Sequence, residues 1–155
     1  MTQTEIFPAV PIAKAAELSG LKQDMITYLG RIDVLKPSAA SGRGRTRRYT
    51  FNDVLFLRVI AELLRRGVEV KRLGAALRRA KAEADSWKDV RSAPRHFLVT
   101  DGTDVYLRRK GRLESKNVDG QFAFAFVLDL AYAHGPLSSG WPQEQTEQDA
   151  AEGKG

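Results

Sequence analysis

Three observations predict an α+β fold: mainly helical at first, then a small antiparallel β segment, then a disordered tail. Apolar residues recur at helical spacing to about Ala80 and at period two beyond His96. Asp-Gly and Lys-Gly dipeptides at 101–102, 110–111 and 119–120 punctuate the second region as turns. From Pro136 the chain turns polar, rich in Gly, Gln and Glu. The expected divisions are residues 1–95, 96–135 and 136–155.

The elements follow in order. Residues 1–5 are polar and expected to fray, and residues 6–10 to be extended around Pro8. Pro11 suits a helix start, because its missing N–H is not needed in a first turn. Ile12, Ala15, Ala16 and Leu18 give a short helix with a small-residue face, and Gly20 fits its left-handed cap. A second short helix is expected over 22–29, with Met25, Ile26 and Leu29 inward. Two short helices joined by a glycine turn form a helix-turn-helix candidate. Val34 and Leu35 should tuck under the second helix, and Pro37 stops any continuation.

The stretch SGRGRTRRYTFNDVLFLRVIAELL, residues 41–64, organises the rest. Arg43, Arg45, Arg47 and Arg48 form a basic run spaced by Gly42 and Gly44. Placed beside a helix-turn-helix, this loop would be a wing, completing a winged helix-turn-helix. Thr50 and Asp53 then make a T-x-x-D capping box for a third helix over 51–66. Its apolar residues fall on two faces, Val54, Leu57, Ile60, Ala61 and Leu64 on one, Leu55, Phe56, Val59 and Leu63 on the other. Such a helix is expected to be covered on both sides, by the β segment, a second subunit or a partner. A fourth helix is expected over 69–85, with Val70, Leu73, Leu77 and Ala80 inward. Strands are expected over 96–100, 104–109 and 121–130. In the last, Phe122, Phe124 and Phe126 share one face, as an aromatic core would.

Charge points to the partner. The chain of 155 residues carries a formal +6, with a pI near 9.8. Residues after Gly140 hold Glu144, Glu147, Asp149, Glu152 and Lys154, a net −3, which leaves +9 on the first 140. A basic body expects an acidic partner, most often nucleic acid. Guanidiniums on a loop rooted in a buried helix suit a phosphate backbone.

Other chemistry is excluded or unsupported. The absence of cysteine rules out disulfides and thiolate metal sites. His96 and His134 have no second ligand at metal spacing, so no metal is expected, and His96 is expected as a strand residue with a satisfied ring nitrogen. There is no nucleophile elbow, P-loop or dinucleotide fingerprint, so neither catalysis nor a cofactor is expected. No signal pattern opens the chain and no apolar run reaches ~20 residues, so a cytoplasmic protein with no membrane partner is expected.

The segments IAKAAELSGL, GRIDVLKP, RRYTFNDVLFLRVI and LLRRGVEVKRLGAAL resemble the MerR-type winged helix-turn-helix family across residues 12–77. The resemblance implies a regulator bound to double-stranded DNA, usually as a homodimer, with the second helix in the major groove and the wing on the backbone. Its DNA-contacting residues would be Lys22, Gln23, Thr27 and Tyr28 on the second helix, and Arg43, Arg45, Arg47, Arg48 and Tyr49 on the wing. The chain departs from the family at Thr27, where an arginine is customary, and at Asp24, where a basic residue is common. The long dimerising helix is replaced by the β segment. That segment, through TDGTDVYLRRKGRL and DGQFAFAFVLDL, resembles part of some VapB-type antitoxins. This second resemblance implies an alternative function: an antitoxin that holds a toxin protein and represses its own operon.

Overall fold

The computed structural model describes residues 7–39, 47–87, 90–110 and 126–143. The helical part opens with α1 (Ile12–Ser19) and α2 (Gln23–Arg31). Pro11, extended at φ −77°, stands just before α1. Gly20 closes it at φ 87°, its N–H donating 2.9 Å to the Ala16 carbonyl. That left-handed conformation is where glycine avoids a Cβ penalty. The Ser19 hydroxyl accepts the next amide, Leu21 N–H, at 3.2 Å. The turn is therefore hydrogen-bonded on both sides, and α2 starts in a fixed direction. It buries Ile26 and Leu29 and leaves its opposite face in solvent.

The third helix, α3 (Phe51–Arg65), is the core of the molecule. The expected capping box is present: Thr50 Oγ1 accepts the Asp53 amide at 3.1 Å and the Asp53 carboxylate accepts the Thr50 amide at 2.8 Å. Val54, Leu55, Phe56, Leu57, Val59, Ile60 and Leu63 are all buried. The helix packs against α1, α4 (Gly74–Asp85) and α5 (Leu130–Gly140), so both apolar faces are covered within one chain. The fourth helix is shorter than the periodicity suggests. A 3₁₀ turn, Val70–Leu73, buries Val70 and Leu73 first, and α4 continues from Gly74.

Beyond a second 3₁₀ segment, Val90–Arg95, the expected change of period appears as β1 (His96–Thr100), β2 (Val105–Arg109) and β3 (Phe126–Asp129). All pairings are antiparallel, in the order β2-β1-β3. The register pairs Leu98 with Leu107 and Leu128 on one face, and Val99 with Tyr106 and Val127 on the other. Residues Phe122 and Phe124, expected in the last strand, lie outside the described residues. The His96 ring stacks on Trp87 at 4.2 Å, and its Nδ1 lies 2.8 Å from the Ser92 carbonyl oxygen.

Two expectations about the chain's last third are corrected. The last strand stops at Asp129, whose carboxylate caps α5 by accepting the Ala131 amide at 2.9 Å. The polar tail expected from Pro136 instead continues as helix to Gly140, with Pro136 inside it. Leu130, His134 and Leu137 are buried at i, i+4 and i+7, the spacing of one helix face. Trp141, just past the helix, is also buried. Its indole Nε1–H donates 2.8 Å to the Pro8 carbonyl, and its ring lies 5.0 Å from Phe51. Phe7 completes this cluster, 4.2 Å from Phe51. One apolar core thus runs from Val10 through α3 to Leu98, Leu107 and Trp141, joining the helical part and the sheet.

Candidate nucleic-acid interface

The outward face of α2 is built by subtraction. Ile26 and Leu29 take the inward positions, so Lys22, Gln23, Asp24, Thr27, Tyr28 and Arg31 are left exposed. Lys22 stands at the N-cap, and Asp24 lies in the first turn, where a carboxylate complements the helix dipole. Gln23, Thr27 and Arg31 follow one another at i, i+4 and i+8, so they form a single row. Tyr28 stands beside that row at 38% exposure, with the Arg31 guanidinium 5.9 Å from its ring centroid. Arg31 was missed from sequence because the helix was expected to end at Leu29. The signal was present as a basic residue four positions beyond Thr27.

The helix-turn-helix is pinned to the core from below. Arg58 on α3 donates from Nη1 to the Leu18 carbonyl at 2.8 Å, meeting a free carbonyl at the C-terminal end of α1. On the other side of α2, Val34 and Leu35 are buried as expected. Asp33 between them and the helix adopts φ 64°, and its carbonyl accepts from Arg78 of α4.

The wing is described at its base. Ala39 pairs with Arg48 and Val10 with Tyr49, both as isolated antiparallel bridges, so the returning limb bonds to the extended segment that leads into α1. Arg43 and Arg45 lie outside the described residues. Arg47 is exposed, whereas Arg48, also exposed, turns one Nη1 toward the Ala9 carbonyl at 3.4 Å. Tyr49, expected on the wing, is 5% exposed and packs in the core. Burial raises its phenol above the ordinary value, the nearby Asp53 charge adds to this, and Arg47 opposes it.

Asp53 holds the base of the wing together. Its side chain has no exposed surface. One carboxylate oxygen, Oδ2, accepts the amides of Ser38 and Thr50, each at 2.8 Å, from the two limbs of the wing. The other, Oδ1, accepts the Ser38 hydroxyl at 2.5 Å and faces the Lys81 ammonium of α4 at 2.7 Å. Lys81 also reaches Asp85 at 2.7 Å. Burial alone would lower the Lys81 ammonium, but Asp53 and then Asp85 outweigh it and hold it above the ordinary lysine value. A capping residue read from sequence as a helix start is therefore also the fastener of the basic loop.

Residues 10–80 match the family model described as MerR HTH family regulatory protein. This segment is a MerR-family helix-turn-helix domain. Curated relatives include uncharacterized HTH-type transcriptional regulators of Mycobacterium bovis and Mycobacterium tuberculosis, each 28% identical over 94 residues. The similarity covers 59% of this chain and 40% of each relative. The MerR domain contains α1, α2, the wing, α3 and most of α4, and every residue proposed from sequence for DNA contact lies inside it. The sheet and α5 lie beyond it. Among the described residues no group of acidic, His or Cys side chains could hold a metal, and no helix is long and apolar enough to cross a membrane.

Proposed function

We propose that this chain is a DNA-binding transcriptional regulator that reads sequence with α2 in the major groove and grips the backbone with the wing. The carrying observation is the exposed row Gln23, Thr27 and Arg31, flanked by Lys22 and Tyr28, on a helix whose other face is locked into the core. Glutamine and arginine offer bidentate contacts to base edges, and threonine offers a hydroxyl and a methyl. With Thr27 where an arginine is customary, the helix brings little charge to the groove, and Arg43, Arg45, Arg47 and Arg48 supply the phosphate contacts. The relatives are named as transcriptional regulators, which favours this reading over an antitoxin.

A gel-shift series on fragments of the host genome, followed by footprinting, tests the reading. Arg47→Ala should weaken binding to all sequences alike and lower the log–log salt slope by about 0.9. Gln23→Ala or Tyr28→Phe should instead change discrimination between sites, by about 1–3 kcal/mol per base preference. Wild-type protein that shifts no fragment, or footprints unaltered in both α2 variants, would overturn it.

A further inference from the structure

The sheet carries a second group of cations, outside the MerR domain. Arg95 ends the 3₁₀ segment before β1, and its carbonyl accepts the Lys110 amide at 2.9 Å. Arg109 pairs with His96 and Arg108 with Phe97. Four basic residues, Arg95, Arg108, Arg109 and Lys110, therefore lie at one end of the β1–β2 pair, with Arg108 and Arg109 on opposite faces of β2. The opposite end is the acidic turn of Asp101 and Asp104, where Asp104 meets Arg79 at 2.5 Å. Among the described residues, Lys110 alone of the four cations has a carboxylate partner, Asp129 at 2.5 Å. Among the described residues Arg95, Arg108 and Arg109 have none within ion-pair distance. This contrasts with the helical surface, where Arg65 and Arg66 meet Glu62, Arg72 meets Glu69 and Arg78 meets Asp33.

Two of the cations are also held in place. The Arg108 guanidinium lies 4.9 Å from the Tyr106 ring centroid, and the Lys110 ammonium 5.2 Å from that of Phe97. Alternation along β2 puts Tyr106 and Arg108 on one face. Each aromatic ring thus lies beneath a cation, and the surface it presents is charge over ring. Nucleic-acid interfaces are more polar and much more positively charged than protein–protein interfaces, as this end of the sheet is. Guanidiniums match phosphate oxygens in geometry and charge.

We propose that this end of the sheet is a second phosphate-contacting surface, which extends the grip of the chain along the duplex read by α2. The proposal rests on the DNA-binding reading given above. Its partner is the phosphodiester backbone outside the segment contacted by the MerR domain, and its contribution is independent of sequence.

The test uses the full chain and two duplexes, one trimmed to the footprint of an Arg95→Gln, Arg108→Gln, Arg109→Gln triple variant and one extending beyond it on both sides. On the long duplex the triple variant should lower the log–log salt slope by up to about 2.7, roughly 0.9 per contact. The corresponding triple lysine variant should restore the slope, and the triple glutamine variant should match wild type on the trimmed duplex. The single variant Arg109→Gln, at an exposed position, should lower the slope by about 0.9 if the triple variant does not fold. An unchanged slope in these variants, with a reduced slope in Arg47→Gln, would overturn the proposal and leave the α2 reading standing. Binding of polyglutamate by wild type that is lost in the triple variant, with DNA binding intact, would assign the surface to an acidic protein instead. Failure of wild type to bind either duplex would refute the underlying reading itself, with Arg47→Gln equally inactive.

Discussion

Replacing Asp53 by asparagine should uncouple the wing from the core. The shape is kept, but the charge is lost and one oxygen becomes an amide donor. If the remaining carbonyl takes the Oδ2 place, it still accepts the Ser38 and Thr50 amides. The new NH₂ then faces the Lys81 ammonium, which sits at 12% side-chain exposure. Breaking a buried ion pair by removing one partner costs about 3–5 kcal/mol. Asp85 keeps hold of Lys81, so a loss near the low end, about 3 kcal/mol, is expected. For a chain of this size that corresponds to a fall in Tm of roughly 6–12 °C. Circular dichroism melts and urea titrations would measure it. The double variant Asp53→Asn, Lys81→Met should recover part of the loss, because it removes the unpaired cation as well. At a temperature where Asp53→Asn remains folded, DNA affinity should still fall, since the limbs carrying the arginines have lost their fastener. A melting temperature within about 2 °C of wild type would refute the assignment of Asp53 as a hub.

Three further outcomes are expected. Because the folded-state value of Lys81 is raised, the stability it contributes is fully present below the ordinary lysine value of 10.5 and is lost as pH rises through the folded value. Urea titrations from about pH 8 to 11.5 should show this alkaline loss in wild type and a smaller one in Lys81→Met. Gly20→Ala forces a Cβ into φ 87° with nothing nearby to clash, so it should cost about 1–2 kcal/mol from backbone strain alone, read from denaturant midpoints. Trp141→Ala empties the cluster with Phe7 and Phe51 and should cost about 3–5 kcal/mol by the same measurement.

The parts legible from sequence were those written locally. Gly20, the Thr50–Asp53 box and the apolar spacing of α3 each act through neighbours within a turn or two, so they could be placed from residue order. The same holds for the helix-turn-helix and for the antiparallel pairing of β1 and β2. Features that depend on distant partners were not legible. Tyr49 follows a basic run and looked like a surface residue, yet its pairing with Val10 turns the ring into the core. Helix α5 was obscured by Gly135, Pro136 and Gly140, which are poor helix formers. Its stability comes from burying Leu130, His134 and Leu137 against the rest of the fold, a tertiary effect that overrides propensity. Trp141 gave no periodic signal, because its partner Pro8 is at the other end of the chain.

Both parts of the proposed reader hang from one helix. Arg58 holds the end of α1, and with it the turn into α2; Asp53, five residues earlier, holds the two limbs of the wing. These polar groups lie among the buried apolar residues of α3, which α5 and α4 cover from other sides. A shift of α3 would therefore move the exposed row of α2 and the base of the wing together, so their spacing is a property of the core. The apolar face that a helix-turn-helix alone would leave wet is where α5 packs. By covering it, the segment beyond the MerR domain stiffens the platform on which the reader is built. On this logic a cavity in the α3–α5 contact should weaken recognition and stability in parallel, although no residue there is exposed toward a duplex.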